Sequence, residues 1–144
     1  MSLLSLRQRP SSRGFTLLEL LVVIVIIGLL AAYVGPRLFG QVDKSQQQLA
    51  QSQIEAFARA LGTFRLEVGR FPSSEEGLAA LRSAPPGLVN WNGPYLDKPV
   101  PPDPWGRPYL YRVPGTEGRD FDITSLGKDG APGGSGDAAD IHNR

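Results

Sequence analysis

The 144-residue chain reads as an α+β protein: a long N-terminal helix packed on a small antiparallel sheet, closed by a glycine-rich C-terminal loop. Three observations predict this. Residues 15–35, FTLLELLVVIVIIGLLAAYVG, form a 21-residue apolar run with one charge, Glu19, and helical spacing of apolar residues continues to Val68. Two short alternating segments, 108–113 and 119–124, flank a turn at 114–118. Residues 125–140, SLGKDGAPGGSGDAAD, hold five glycines and three aspartates.

The first element is a basic leader, residues 1–14, with Arg7, Arg9 and Arg13. The apolar run after it, residues 15–35, would be roughly 32 Å long as a helix, close to the roughly 30 Å hydrocarbon core of a bilayer. Positive charge before the span places the N-terminus in the cytoplasm and the rest outside. A secretory signal peptide needs a shorter apolar region, about 7–15 residues, and a small-residue cleavage site, and neither is present. A plain signal anchor leaves Glu19 unexplained, because a carboxylate at membrane depth costs at least about 2.5 kcal/mol and needs a partner.

Residues 36–68 continue the helix as an amphipathic stretch. Leu38, Val42, Leu49, Ile54, Phe57, Leu61, Phe64 and Val68 fall mostly at steps of three and four. Because this stripe resumes directly after Gly35-Pro36, the spacing predicts a kinked or locally melted helix there rather than a helix end. Gly69 and Pro72 mark the end near Val68.

The remaining residues, 69–144, form the head. Ser73 and Glu76 predict a capping box opening a short helix with Leu78 and Leu81 on one side. The proline-rich stretch from Gly87 to Pro108 contains Trp91 and Trp105, an aromatic load that predicts an ordered loop. In the second alternating segment Phe121 and Ile123 share one face, Asp120 and Asp122 the other. The loop 125–140 has the oxygen chemistry of a calcium site, carboxylates plus turned-in carbonyls; a flexible, solvated acidic loop fits its composition equally.

Composition excludes several functions. Fifteen Lys+Arg against 14 Asp+Glu is not the balance of a basic nucleic-acid binder. With no cysteine there is no disulfide, thiolate metal site or cysteine nucleophile. A Ser-His-Asp catalyst would have to rest on the single histidine, His142, and no base stands beside a nucleophile in the sequence, so the chain reads as a non-enzyme.

Arg13-Gly14-Phe15-Thr16-Leu17-Leu18-Glu19-Leu20 resembles the class III signal of type IV pilins and their relatives. The resemblance implies cleavage by a prepilin peptidase between Gly14 and Phe15 and N-methylation of Phe15. The mature chain would have 130 residues and, having lost three of its 15 basic residues against 14 acidic ones, a net charge of −2. The new amine at Phe15 of one subunit would then pair with Glu19 of a neighbour, which otherwise carries its carboxylate unpaired in lipid.

Further motifs narrow the resemblance. Gly69-Arg70-Phe71-Pro72, Glu76-Gly77-Leu78, Trp91-x-Gly93-Pro94-Tyr95-Leu96, Asp103-Pro104-Trp105-Gly106-x-Pro108-Tyr109-x-Tyr111 and Ser125-Leu126-Gly127-Lys128-Asp129-Gly130 closely resemble the major pseudopilin family of type II secretion systems. Two departures stand out: Thr116-Glu117 where the family often has His, and the ending Ile141-His142-Asn143-Arg144 where it usually continues to an aromatic residue. The resemblance implies a pilin-like fold with a C-terminal calcium loop. Asp129 is the best-matched side-chain ligand, Leu126, Ala131 and Gly134 supply carbonyls, Asp137 is the second carboxylate, and Asp140 is a ligand or fixes the loop end; Lys128 is expected to point outward.

The implied function is a structural subunit that polymerises into a helical periplasmic pseudopilus and drives folded proteins across the outer membrane. Its implied partners are other copies of itself, minor pseudopilins, the inner-membrane assembly platform, the prepilin peptidase and the inner membrane of a Gram-negative cell, with no nucleic acid. The alternatives are a type IV pilus subunit or minor pseudopilin, and a membrane-anchored periplasmic calcium-dependent binding protein or enzyme.

Overall fold

The computed structural model describes residues 14–144, so the predicted leader, apart from Gly14, lies outside the described residues. The chain divides into two compact units, residues up to Phe39 and Gly40–Arg144.

Helix α1 spans Leu17–Val68, 52 residues. It stays α-helical through Gly35-Pro36, so the helix continues there as expected, and of the two expected forms, kinked or locally melted, the melted one does not occur. Proline removes one backbone donor, and the flanking residues keep the helical path. Up to Val34 the large apolar side chains are exposed on every face, from Leu17 at 83% to Val34 at 44%. The helix ends where the Gly69 amide donates to the Arg65 carbonyl at 2.8 Å, the αL form of C-cap.

In the second unit α1 buries Ala50, Ile54, Phe57, Ala60, Leu61 and Phe64. The predicted stripe is therefore too long at its start: Leu38, Val42 and Leu49 are each more than half exposed. Periodicity sets which face is apolar, but head residues cover that face only from Ala50 onward. The core joins these positions to Leu78, Leu81, Tyr109 and Ile123. Edge-on aromatic pairs, Phe57 with Tyr109 at 5.2 Å and Phe64 with Tyr95 at 5.5 Å, lock helix to head.

Ser73 and Glu76 do form the capping box: the Ser73 amide donates to Glu76 Oε2 at 2.7 Å, and the Glu76 amide to Ser73 Oγ at 3.1 Å. The box opens a turn and then a 3-10 helix, Leu78–Leu81, instead of the expected continuous helix. Gly77, at φ 61, ψ −168, leaves helical space between the two. Arg70 grips Glu76 with both guanidinium ends, at 2.6 and 2.8 Å, and holds its carboxyl down to about 2. The proline-rich stretch is ordered as expected: Trp91 Nε1 donates to the Ala80 carbonyl, and Tyr95 Oη reaches Glu67 on α1 at 2.6 Å.

Among the described residues one sheet forms, order β1-β2-β3 and antiparallel throughout: β1 Leu110–Arg112, β2 Asp122–Ser125, β3 Ile141–His142. The register pairs Tyr111 with Ile123 and Thr124 with His142. Both predicted strands are shorter than their alternating segments. Pro108 has no amide to donate, and Arg119–Phe121 belongs to the turn, where the Arg119 amide bonds Thr116. Asp122, on the face opposite Ile123, is nonetheless buried: the turn folds over it, with the Thr116 amide at 2.8 Å and Arg119 Nε at 3.2 Å. Past β3, Asn143 continues the pairing; its Oδ1 accepts from the Ile123 amide at 2.7 Å and its Nδ2 donates to the Phe121 carbonyl at 3.1 Å.

Two residues apart on α1, Phe64 is fully buried and Leu66 is 87% exposed. Phe64→Ala is expected to destabilise the head by about 3–5 kcal/mol, while Leu66→Ala stays within about 0.5 kcal/mol. Urea unfolding followed by tryptophan fluorescence checks the contrast.

Candidate functional sites on helix α1 and the glycine-rich loop

Gly14 and Phe15 precede the helix in exposed, non-helical backbone. A Cβ on Gly14 would meet nothing within 4 Å, so the chain's own packing does not demand glycine there. Phe15 is 80% exposed.

Thr16 caps α1. The Glu19 amide donates to Thr16 Oγ1 at 3.2 Å, and Glu19 Oε2 accepts from the Thr16 amide at 3.2 Å and its hydroxyl at 3.3 Å. This is a complete capping box, with the acid also favoured by the helix dipole. Glu19 thus has two local hydrogen-bond donors, both from Thr16. It has no counter-charge, since among the described residues no cation lies within ion-pair distance of it. Thr-x-x-Glu before an apolar run is the sequence signature of such a box, and it marks a local role for Glu19 that its membrane cost alone does not suggest.

The loop 125–140 has two limbs. The first, Ser125–Gly130, is pinned to the head. Asp103, 3% exposed, accepts from the Trp105 and Arg107 amides on Oδ1 at 3.1 and 2.8 Å, and from Ser125 Oγ on Oδ2 at 2.7 Å. Arg107 donates to the carbonyls of Gly127 at 2.7 Å and Lys128 at 3.3 Å. Gly130, at φ +67, has the backbone conformation that favours glycine, and a Cβ there would press on the Arg107 guanidinium. Asp103 and Gly106 close a turn, the Gly106 amide bonding the Asp103 carbonyl at 2.9 Å, a role that Asp-Pro-x-Gly signals in sequence.

Lys128 does not point into solvent as expected. Its Nζ donates to both carboxylate oxygens of Asp43 on α1, at 3.0 and 2.8 Å. Asp43 is buried and holds the ammonium pKa above its ordinary value.

The second limb, 131–140, is tied mainly to itself. The Gly133 amide donates to Asp140 Oδ2 at 2.9 Å, the Asp140 amide to the Gly133 carbonyl at 3.1 Å, and Gln47 Nε2 reaches the Gly136 carbonyl at 3.0 Å. A Cβ on Gly134 would clash with the Ala138 carbonyl oxygen. Asp129 Oδ1 accepts from the Ala131 amide at 3.1 Å, and the Leu126 carbonyl from the Gly130 amide at 3.2 Å.

Among the described residues no three acidic or histidine side chains converge, so Asp129, Asp137 and Asp140 are not gathered into one cluster. One atom fits a cation directly: Asp140 Oδ1 is buried without a hydrogen-bond partner. A buried carboxylate oxygen left bare in a carbonyl-rich loop is the donor a hard cation takes. His142 bonds Thr124 Oγ1 across the strands through Nδ1 at 2.9 Å, so one hydroxyl does stand beside the imidazole, contrary to the sequence expectation. The pair lies in register on β2 and β3.

Comparison with known proteins agrees with this geometry. Residues 9–35 match the prokaryotic N-terminal methylation motif, and residues 37–144 match the model of type II secretion system protein G. The chain is 45% identical over 139 residues to type II secretion system core protein G of Pseudomonas aeruginosa, covering 94% of this chain and 97% of that one. It is 42% identical over 141 residues to the core protein G of Vibrio cholerae, covering 96% and 95%. A crystal structure of the major pseudopilin from the type 2 secretion system of enterohaemorrhagic Escherichia coli matches with a TM-score of 0.62 at 38% identity, over 75% of this chain and 94% of that one. With the pilin-type signal, the capped apolar helix and the small three-stranded head, these matches make the chain a member of the type II secretion system protein G family, the family of the major pseudopilin.

Proposed function

We propose that this chain is a non-catalytic structural subunit that polymerises through α1 into a periplasmic pseudopilus and, by growing, moves folded proteins across the outer membrane. The observation that carries this is the exposure of α1. From Leu17 to Val34 every large apolar side chain is open, over a length suited to a bilayer. Such a surface needs lipid before assembly and neighbouring helices after it. The inner membrane, a prepilin peptidase acting at Gly14-Phe15, minor pseudopilins and an inner-membrane assembly platform are the partners this role requires. Family membership favours it over a type IV pilus subunit, a minor pseudopilin or a calcium-dependent binding protein or enzyme.

Glu19 has a place in this scheme. Its box with Thr16 satisfies hydrogen bonding but leaves the charge uncompensated, and the Phe15 amine of a neighbouring subunit is the counter-charge. Glu19→Leu removes the charge, so membrane insertion and processing should proceed while filament assembly falls or changes register. Electron microscopy of sheared filaments, with immunoblotting for the processed form, reads both. Filaments as abundant and regular as wild type would contradict the role.

The same proposal includes a calcium ion in the loop. Asp129, Asp137 and Asp140 would supply carboxylates and Leu126, Ala131 and Gly134 carbonyls. Bound there, the ion would supply a fixed positive centre that ties a loop without a core to the sheet. Support comes from the bare Asp140 Oδ1 and the oxygen-only chemistry of the loop. Full-length protein in detergent, melted with calcium about a hundredfold above its Kd, should gain about 2.7 kcal/mol. That raises Tm by roughly 10 °C or more over chelator. Asp129→Ala and Asp140→Asn should each lose most of the shift; equal wild-type melting points in calcium and chelator would refute the site.

A further inference from the structure

Asp43 is the one acidic residue among the buried positions of α1. A carboxylate withdrawn from water needs a counter-charge, and Lys128 supplies it through two hydrogen bonds. Lys128 comes from the loop itself, between Gly127 and Asp129, and its side chain is half-exposed. Its ammonium also feels the charge of Asp137. The lysine thus stands between two acidic settings: Asp43 on the helix, which it bonds, and its own loop, where Asp137 acts on its charge and Asp129 follows it in the chain. An ammonium on four rotatable bonds, released beside carboxylates, competes with a divalent cation for them and repels it.

The backbone favours the helix setting. Arg107 grips the carbonyls of both Gly127 and Lys128, and Asp103 fixes Ser125, so the chain at Lys128 is held while its side chain reaches α1. We propose that Asp43 is a positioning residue for the calcium loop: it holds the Lys128 ammonium on α1 and so keeps Asp129 and Asp137 free for the cation. The inference rests on the calcium function proposed above. It gives a residue on the helix, 86 positions before Asp129, control over affinity in the loop without being a ligand.

Calorimetric titration of the full-length, chelator-stripped protein in detergent with calcium chloride tests this. Asp43→Asn keeps the shape and removes the counter-charge, so Kd should rise roughly fivefold, as one uncompensated charge near a divalent ion requires. The penalty should shrink as salt is raised. Asp43→Asn/Lys128→Met should return to within about twofold of wild type, and Lys128→Met alone should bind at least as tightly as wild type. An unchanged Kd in Asp43→Asn overturns the proposal. So does a double variant as weak as Asp43→Asn, or a weakened Lys128→Met, since either would make the pair a mechanical tether. A wild type that takes up no calcium overturns the calcium function and this inference with it, whereas wild-type binding with an indifferent Asp43→Asn overturns the inference alone.

Discussion

One stripe of helix α1, Ala50 to Phe64, carries the head, because the buried core of the head closes on it. Tyr109 and Tyr95 stack edge-on against Phe57 and Phe64, Leu78 and Leu81 meet the same face, and Ile123 brings in the sheet. The strands are two to four residues long and could not stand without it. The same helix offers apolar side chains from Leu17 to Leu49 that this chain leaves exposed. A helix with that much open apolar surface lacks cover, which in the proposed role comes from lipid and from other copies.

The loop obeys the opposite rule. Five glycines in sixteen residues bury almost nothing and lose much entropy on ordering. Polar ties hold it instead, and they are uneven. The first limb is fixed by Asp103, Arg107 and the Asp43–Lys128 pair; the second has Gln47 and its own Gly133–Asp140 clasp. A cation would therefore act mostly on the second limb, where Asp140 keeps a bare oxygen.

Much of the fold is legible in the sequence because its signals are local. The helix end at Val68 follows from Gly69, the Ser73–Glu76 box from its spacing, and the order of the proline-rich stretch from its aromatics. The illegible part depends on what lies opposite each residue. A stripe at three-four spacing says which side of α1 is apolar, not that anything covers Leu38, Val42 or Leu49. Asp122 looks solvent-facing by alternation, yet a turn folds over it. Lys128 beside Asp129 looks like an outward loop lysine until Asp43, 85 positions away, is placed against it. The Thr16–Glu19 box is local and open to sequence reasoning, and Glu19 is both the capping residue and the one charge of the apolar run.

In the proposed role, helix α1 becomes an assembly surface once the chain is cut before Phe15, and the rest of the role depends on that step. The intact mass of the protein extracted from the membrane fraction tests it most directly. The expected mass is that of a chain beginning at Phe15 and heavier by one methyl group. A full-length mass, or a cut within or after the apolar run, would contradict the claim.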